Sequence, residues 1–299
     1  MTYSIVARDP DTGELGVAVQ SHWFSVGAVV PWARPGVGAV ATQANAEIAY
    51  GPRALELLDR GATARQALDA LLMPDPLAQS RQVAVVDAAG RVAAHTGRDC
   101  IEFAGDIQGA GFSCQANIMT TAAVWPAMLQ AFQAGEGPLS TRLMTALNVG
   151  ESAGGDLRGR QSAALLVVPA AGEPWEESIS LRVEDHPDPL VELARLARLH
   201  DAYTLAGQGD ELLAAARHQE AAQAFMRALE LAPESDELRF WAGLGAAQAG
   251  DMDAALAHVR AAIEAHAGFQ ELLRRLPASL GPAAAAMRER LGSASGAGT

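Results

Sequence analysis

The chain of 299 residues carries a formal net charge of −13, with 49% hydrophobic and 19% charged residues. The length favours about two domains, and the hydrophobic share sets the chain apart from disordered sequences. The acidic balance argues against nucleic acid or an anionic membrane as partner, no apolar run approaches the ~18 residues of a membrane-spanning helix, and two cysteines, Cys100 and Cys114, are too few for a disulfide framework and lack zinc-ligand spacing.

Tyr3, Ile5 and Ala7 alternate with Ser4, Val6 and Arg8, and a Pro-, Gly- and Asp-rich turn over residues 9–14 separates them from an apolar run at 15–20. The chain is therefore expected to start directly in a hairpin, which would hold its terminus in place. Met1 precedes a small residue, so an aminopeptidase is expected to remove it and leave Thr2 first. A free α-amine titrates near pH ~8 and can take the proton of its own Thr hydroxyl, so that one residue supplies nucleophile and base. The start lacks a basic segment followed by an apolar one, and a cytoplasmic location is expected.

Residues 36–41, Gly-Val-Gly-Ala-Val-Ala, predict a strand of small residues. It runs out into Thr42-Gln43-Ala44-Asn45, which places the hydrogen-bonding amides of Gln43 and Asn45 near its end. Over 51–72, Ala54, Leu55, Leu57 and Leu58, then Ala64, Ala67, Leu68 and Leu71, recur at helical intervals. They predict two short helices joined at Gly61, with Thr63 as N-cap. A second hairpin is expected at 82–86 and 92–95, the latter holding His95 in a structural role. Strands follow at 100–103 and 111–115, with Cys100 and Cys114 as buried thiols within cross-strand reach. Helices over 119–134 and 139–147, a loop over 150–160, and strands at 162–168 and 181–183 complete this part. Such blocks suggest antiparallel sheets covered by helices.

From about residue 200 the chain turns helical and Ala-rich. Ala221, Phe225 and Ala228 recur 34 residues later as Ala255, Val259 and Ala262, and Gly209 recurs as Gly243. This resembles the tetratricopeptide repeat, with one unit over 202–235, another over 236–269 and capping helices to 291. It is expected to recognise a protein partner or to serve as a structural or dimerising appendage.

The segments Tyr3-Ser4-Ile5-Val6-Ala7-Arg8, Gly16-Val17-Ala18-Val19-Gln20-Ser21, Gly38-Ala39-Val40-Ala41-Thr42-Gln43 and Gln82-Val83-Ala84-Val85-Val86-Asp87 resemble the family labelled domain of unknown function 1028. So does the run from Gly154-Gly155-Asp156-Leu157-Arg158 to Gly159-Arg160-Gln161-Ser162-Ala163, and Arg182-Val183-Glu184-Asp185-His186-Pro187-Asp188-Pro189 resembles the family's usual exit. That family is similar to the N-terminal nucleophile (Ntn) hydrolases. The resemblance implies an α+β, four-layer αββα sandwich over 1–190, with its N-terminal residue at the open end. The helical repeats would then span 191–291 and a disordered tail 292–299.

If Thr2 attacks an amide carbonyl, the developing oxyanion needs donors about 3 Å away; Gln43, Asn45 and Asn117, beside predicted strand ends, are the candidates. Asp156 and Arg158 would orient the terminal amine, bind a substrate carboxylate, or form a salt bridge that pins their Gly-rich loop. Ser21 and His22 are possible accessory groups across the hairpin. No residues have metal-ligand spacing, and no phosphate loop or dinucleotide glycine pattern occurs, so neither metal nor cofactor is expected. The expected function is amidohydrolysis of a small amide by Thr2, in a cytoplasmic homo-oligomer. The alternative is a catalytically silent sandwich that binds a ligand, or a protein through its helical repeats.

Overall fold

The computed structural model describes residues 2–277, 281 and 283–295; Met1 lies outside them. The chain divides into two compact units, Met1–Arg195 and Leu196–Thr299.

The first unit holds two antiparallel sheets. One has six strands in the order β10-β9-β2-β1-β8-β7, formed by β1 (Thr2–Arg8), β2 (Leu15–Ser21), β7 (Gly105–Gly109), β8 (Phe112–Asn117), β9 (Ser162–Val168) and β10 (Ile179–Val183). The other has the order β3-β4-β5-β6, from β3 (Pro31–Arg34), β4 (Gly38–Ala44), β5 (Arg81–Asp87) and β6 (Val92–Thr96). Strand alternation decides what lies between them. Val6 of β1 and Leu15, Val17 and Val19 of β2 form one buried cluster with Ala39, Ala41, Ala84 and Val86 of the facing sheet. The alternate residues of β4 to β6, Val40, Val83, Val85 and Ala93, turn to the opposite face. There they pack on α1 (Tyr50–Asp59) and α2 (Ala64–Leu72) through Ala54, Leu58, Leu68 and Leu71. Thr63 caps α2 in a reciprocal capping box with Gln66, as the sequence predicts.

Two further helices, α3 (Val124–Ala134) and α4 (Leu139–Ser152), pack on the six-stranded sheet. Gly16 of β2 permits the approach of α4, because a Cβ there would stand 2.7 Å from Leu143 Cδ1. The helix predicted from residue 119 begins only at Val124. Met119 instead bridges to Asp156, and the Thr120 amide donates to the Gly155 carbonyl at 3.1 Å. The strand predicted at 100–103 is displaced to Gly105–Gly109. Ile101 and Phe103 mimic strand alternation but are 62% and 39% exposed in a connecting loop. Cys100 lies in that loop with its Sγ donating to the Arg81 carbonyl, whereas Cys114 sits in β8 opposite Ile5 and Ile107. The two thiols are therefore not cross-strand neighbours. Burial pushes the Cys114 thiol far up and also raises that of Cys100.

Among the described residues every secondary-structure element of the second unit is a helix, with α6 (His218–Leu231), α7 (Asp236–Gln248), α8 (Met252–Ala265), α9 (Gly268–Arg275) and α10 (Ala284–Ser295) following α5 (Pro189–Ala214). Helix α5 starts at Pro189, about three turns before residue 200, where the sequence turns helical and Ala-rich, and runs through Gly207 and Gly209 without a break. The residues spaced by 34 are all buried: Ala221, Phe225 and Ala228 in α6, and Ala255, Val259 and Ala262 in α8. Their glycine partners are close as well. A Cβ on Gly209 would meet the Phe225 ring at 2.9 Å, and one on Gly243 would meet Val259 at 2.7 Å. Helix α10 includes residues 292–295, where the predicted tail begins; residues 296–299 lie outside the described part. No helix among the described residues is long and apolar enough to cross a membrane.

Candidate functional site

Because β1 runs between β2 and β8, its first residue is enclosed. Thr2 pairs in register with Asn117 and is 4% exposed. Alternation sends Thr2 and Ser4 to the side on which Val6 meets the facing sheet. Ser21, at the end of β2, lies on the same side and brings its Oγ to 3.1 Å from Thr2 Oγ1.

Beneath Thr2 the two sheets exchange hydrogen bonds instead of apolar contacts. Ser4 Oγ donates to Gln43 Oε1 at 2.6 Å, and Gln115 Nε2 donates to Ser4 Oγ at 2.6 Å. Gln43 Nε2 and Asn117 Nδ2 both donate to Gln82 Oε1, at 2.7 and 2.8 Å. Gln82 Nε2 in turn donates to the Ala116 carbonyl at 2.8 Å and to Thr96 Oγ1 at 2.9 Å. Ser4, Gln43, Gln82, Gln115 and Asn117 are each at most 1% exposed, and polar groups buried so deeply are tolerated only when paired. Strand register supplies the pairing, since Gln43 stands opposite Gln82, and Ser4 opposite Gln115.

Gln43 Nε2 and Asn117 Nδ2 also reach the Thr2 carbonyl, each at 3.4 Å. These two amides therefore hold the main chain of Thr2. Asn45 is exposed at the end of the β4 run, where its Nδ2 donates to Ser80 Oγ at 3.2 Å.

Thr2 opens onto a cavity of about 430 Å³. Its walls are largely apolar, formed by Trp23, Val26, Val29, Val30, Ile48 and Ile118, with Gln43, Asn45 and Arg158 as polar members. Arg158 is the one ionisable side chain among the described residues that line it. Ala44 and Ile118 turn the chain out of β4 and β8 with φ of 66° and 58°, and Ser25, just before Val26, has φ of 57°. Such left-handed backbone is uncommon outside glycine, above all for a β-branched residue.

The Asp156 side chain is fully buried and accepts from Arg158 Nη2 at 3.1 Å, from the Arg158 amide at 2.9 Å and from the His22 amide at 3.1 Å. His22 thus contributes its backbone, while its ring turns to the Arg160 carbonyl, 3.3 Å from Nδ1. The structure brings Thr2, Ser21, Gln43, Asn45 and Arg158 together, with Asn117 directly behind Thr2. His22 is not part of the cavity wall, and His95 lies apart in β6, with Nε2 donating to the Ala78 carbonyl at 2.8 Å.

A second set of groups steadies the wall from outside. Arg81 donates through Nε to Asp75 at 2.9 Å and through Nη1 to the Asn45 carbonyl. The Arg81 guanidinium, and next the Tyr50 hydroxyl at 2.6 Å, hold the Asp75 carboxyl down at about 2. On the other face of β1, Tyr3 donates to Glu151 at 2.9 Å, and its burial followed by the Glu151 charge pushes its phenol well above the ordinary range. Sequence reasoning missed Ser4, Gln82, Gln115, Arg81 and Asp75. Among the described residues no group of three or more His, Cys, Asp or Glu side chains is placed to hold a metal ion.

A family model described as a family of unknown function, DUF1028, matches residues 2–193. The crystal structure of a DUF1028 protein from Silicibacter pomeroyi is similar to the chain, with a TM-score of 0.61 and 31% identity, over 66% of this chain and 84% of that one. Anbu, the ancestral beta-subunit from Yersinia bercovieri, superposes with a TM-score of 0.33 and 12% identity, over 64% of this chain and 91% of that one. No curated protein matches the chain.

Proposed function

The chain belongs to the DUF1028 family, and on that premise we propose that it is an N-terminal nucleophile amidohydrolase acting on an amide or related C–N bond of a small substrate. Removal of Met1 makes Thr2 the first residue. Its α-amine takes the proton of Oγ1 as the oxygen attacks the carbonyl, and gives it to the departing nitrogen. Water then attacks the acyl-enzyme, the amine again handling the proton.

One observation carries the reading. Thr2 faces a cavity in which Arg158 is the one ionisable side chain among the described lining residues, and an arginine does not act as a base at neutral pH. With no side-chain base among those described residues, the α-amine is the base within reach. Further support comes from Ser21, whose Oγ is hydrogen-bonded to the nucleophile, and from Gln43 and Asn117, which fix the Thr2 carbonyl. Of the three amides expected to stabilise an oxyanion, Asn45 lines the cavity without holding Thr2, so this role falls to Asn45.

The Ntn-type αββα layering belongs to the same reading and is supported by the helix pairs packed on the two sheets. The tetratricopeptide-like character of the second unit is supported by its 34-residue spacing of buried small residues; we assign it to a protein partner. The test is the intact mass of the protein from its native host, followed by assays of small amides. Loss of one methionine and turnover abolished in Thr2→Ala at unchanged Tm are expected. A retained Met1, or equal turnover in the variant, overturns the reading.

A further inference from the structure

We infer that the substrate of this site is an amide carrying a carboxylate beside an apolar group, of the size of an N-acyl amino acid, with the carboxylate held by Arg158. Turnover of such a compound rests on the hydrolase reading; its binding does not.

Three observations converge. The volume, about 430 Å³, is that of a small-molecule pocket, and a mostly apolar wall with a few polar groups is the usual recognition surface for such ligands. The apolar surface extends to the mouth, where Trp23 and Ile48 line the cavity while remaining 60% and 48% exposed. Such a surface takes up a hydrocarbon side chain rather than a sugar or a polyol.

The charges select the sign of the remaining group. Arg158 is fastened by Asp156, which binds its Nε at 3.3 Å and its Nη2 at 3.1 Å. The guanidinium is thereby set in one plane at the cavity wall, and a planar guanidinium edge matches a carboxylate. No aspartate or glutamate is among the described lining residues, so a cationic substrate finds no counter-charge there. In a chain with net charge −13, a cation at the cavity wall offsets the surrounding negative charge for an anionic ligand, and apolar walls strengthen that attraction.

The experiment uses the full-length protein and N-acetyl derivatives of alanine, valine, leucine and phenylalanine. Each is paired with the N-acetyl amine that has the same side chain and lacks the carboxylate, and acetate release is measured. Wild type is expected to prefer the carboxylate compounds by about 10- to 100-fold in kcat/KM, the range of a charge-assisted hydrogen bond. Arg158→Gln is expected to bring that ratio close to one. Because loss of Arg158 also loosens the loop around Asp156, Ile48→Glu serves as a second variant. It leaves the Asp156–Arg158 pair intact, places a negative charge on the wall, and is expected to reduce the ratio as well.

In parallel, binding of N-acetylleucine to Thr2→Ala is measured by calorimetry, with and without Arg158→Gln. Turnover without carboxylate preference overturns the substrate class and leaves the hydrolase. Arg158-dependent binding without turnover in wild type supports the class and overturns the hydrolase. Neither turnover nor binding for the whole series overturns the inference.

Discussion

The space between the two sheets has two ends of opposite character. At one end Val6, Leu15, Val17, Val86 and Val168 meet as an apolar cluster; at the other Thr2, Ser4, Gln43, Gln82, Gln115 and Asn117 are joined by hydrogen bonds. Both ends are excluded from water to the same degree. Burial therefore does not separate the structural core from the site; the chemistry of what is buried does. The apolar end gains free energy simply by leaving water, whereas the polar end must match every donor with an acceptor, and that matching fixes where Thr2 stands.

Substitutions at either end sharpen this contrast. The largest effect is expected from Thr2→Ala, with turnover reduced by about 10³-fold or more and Tm unchanged by calorimetry. Leu15→Ala, at the apolar end, is expected to cost about 3 kcal/mol of stability. Chemical denaturation reads this loss, while kcat/KM per folded molecule stays at the wild-type value; a parallel loss of activity would mean that the two ends are not separable. Gln82→Leu removes the acceptor shared by Gln43 and Asn117 and is expected to cost about 1–3 kcal/mol. Here kcat should fall as well, since both amides then lose their anchor.

The smallest effect is expected outside the sheets. Asp75 is held at about 2, below its ordinary 3.8. A carboxyl depressed by folding adds stability that is present above its unfolded value and lost as pH falls through its folded one. Asp75→Asn is thus expected to lower Tm by a few degrees at about pH 7, and the difference is expected to shrink below about pH 4 and to vanish only below about pH 2. A difference that persists undiminished into acid would assign the role of Asp75 to packing.

Local structure was legible in the sequence wherever neighbouring residues decide it. The Thr63 cap, the first two hairpins, the paired short helices and the apolar strand at 162–168 are all present. Errors arose where distant partners decide. Ile101 and Phe103 carry a strand-like alternation, yet the residues that pair with β8 are Gly105–Gly109, whose polar and glycine content gives no such signal. Thr2, Gln43, Asn45 and Arg158 were identifiable because they stand at strand ends or in a Gly-rich loop. Gln82 and Gln115 were not, since a glutamine inside a strand looks like a solvent-facing residue until the opposite sheet is in place. The bond from Gln115 to Ser4 spans 111 residues of sequence, and no local pattern encodes it.

The left-handed backbone at Ser25, Ala44 and Ile118 sets stability against selectivity at the rim of the pocket. Each such conformation costs about 1–3 kcal/mol in a non-glycine residue. Ala44→Gly would relax one of them with the loss of a single methyl, making it an easy route to a hardier protein. The same methyl belongs to the wall that Thr2 faces, so the gain in robustness would come with a looser grip on whatever the pocket holds. A directed search for heat-resistant variants should therefore accept glycine at position 44 and, along with it, a broader range of accepted compounds.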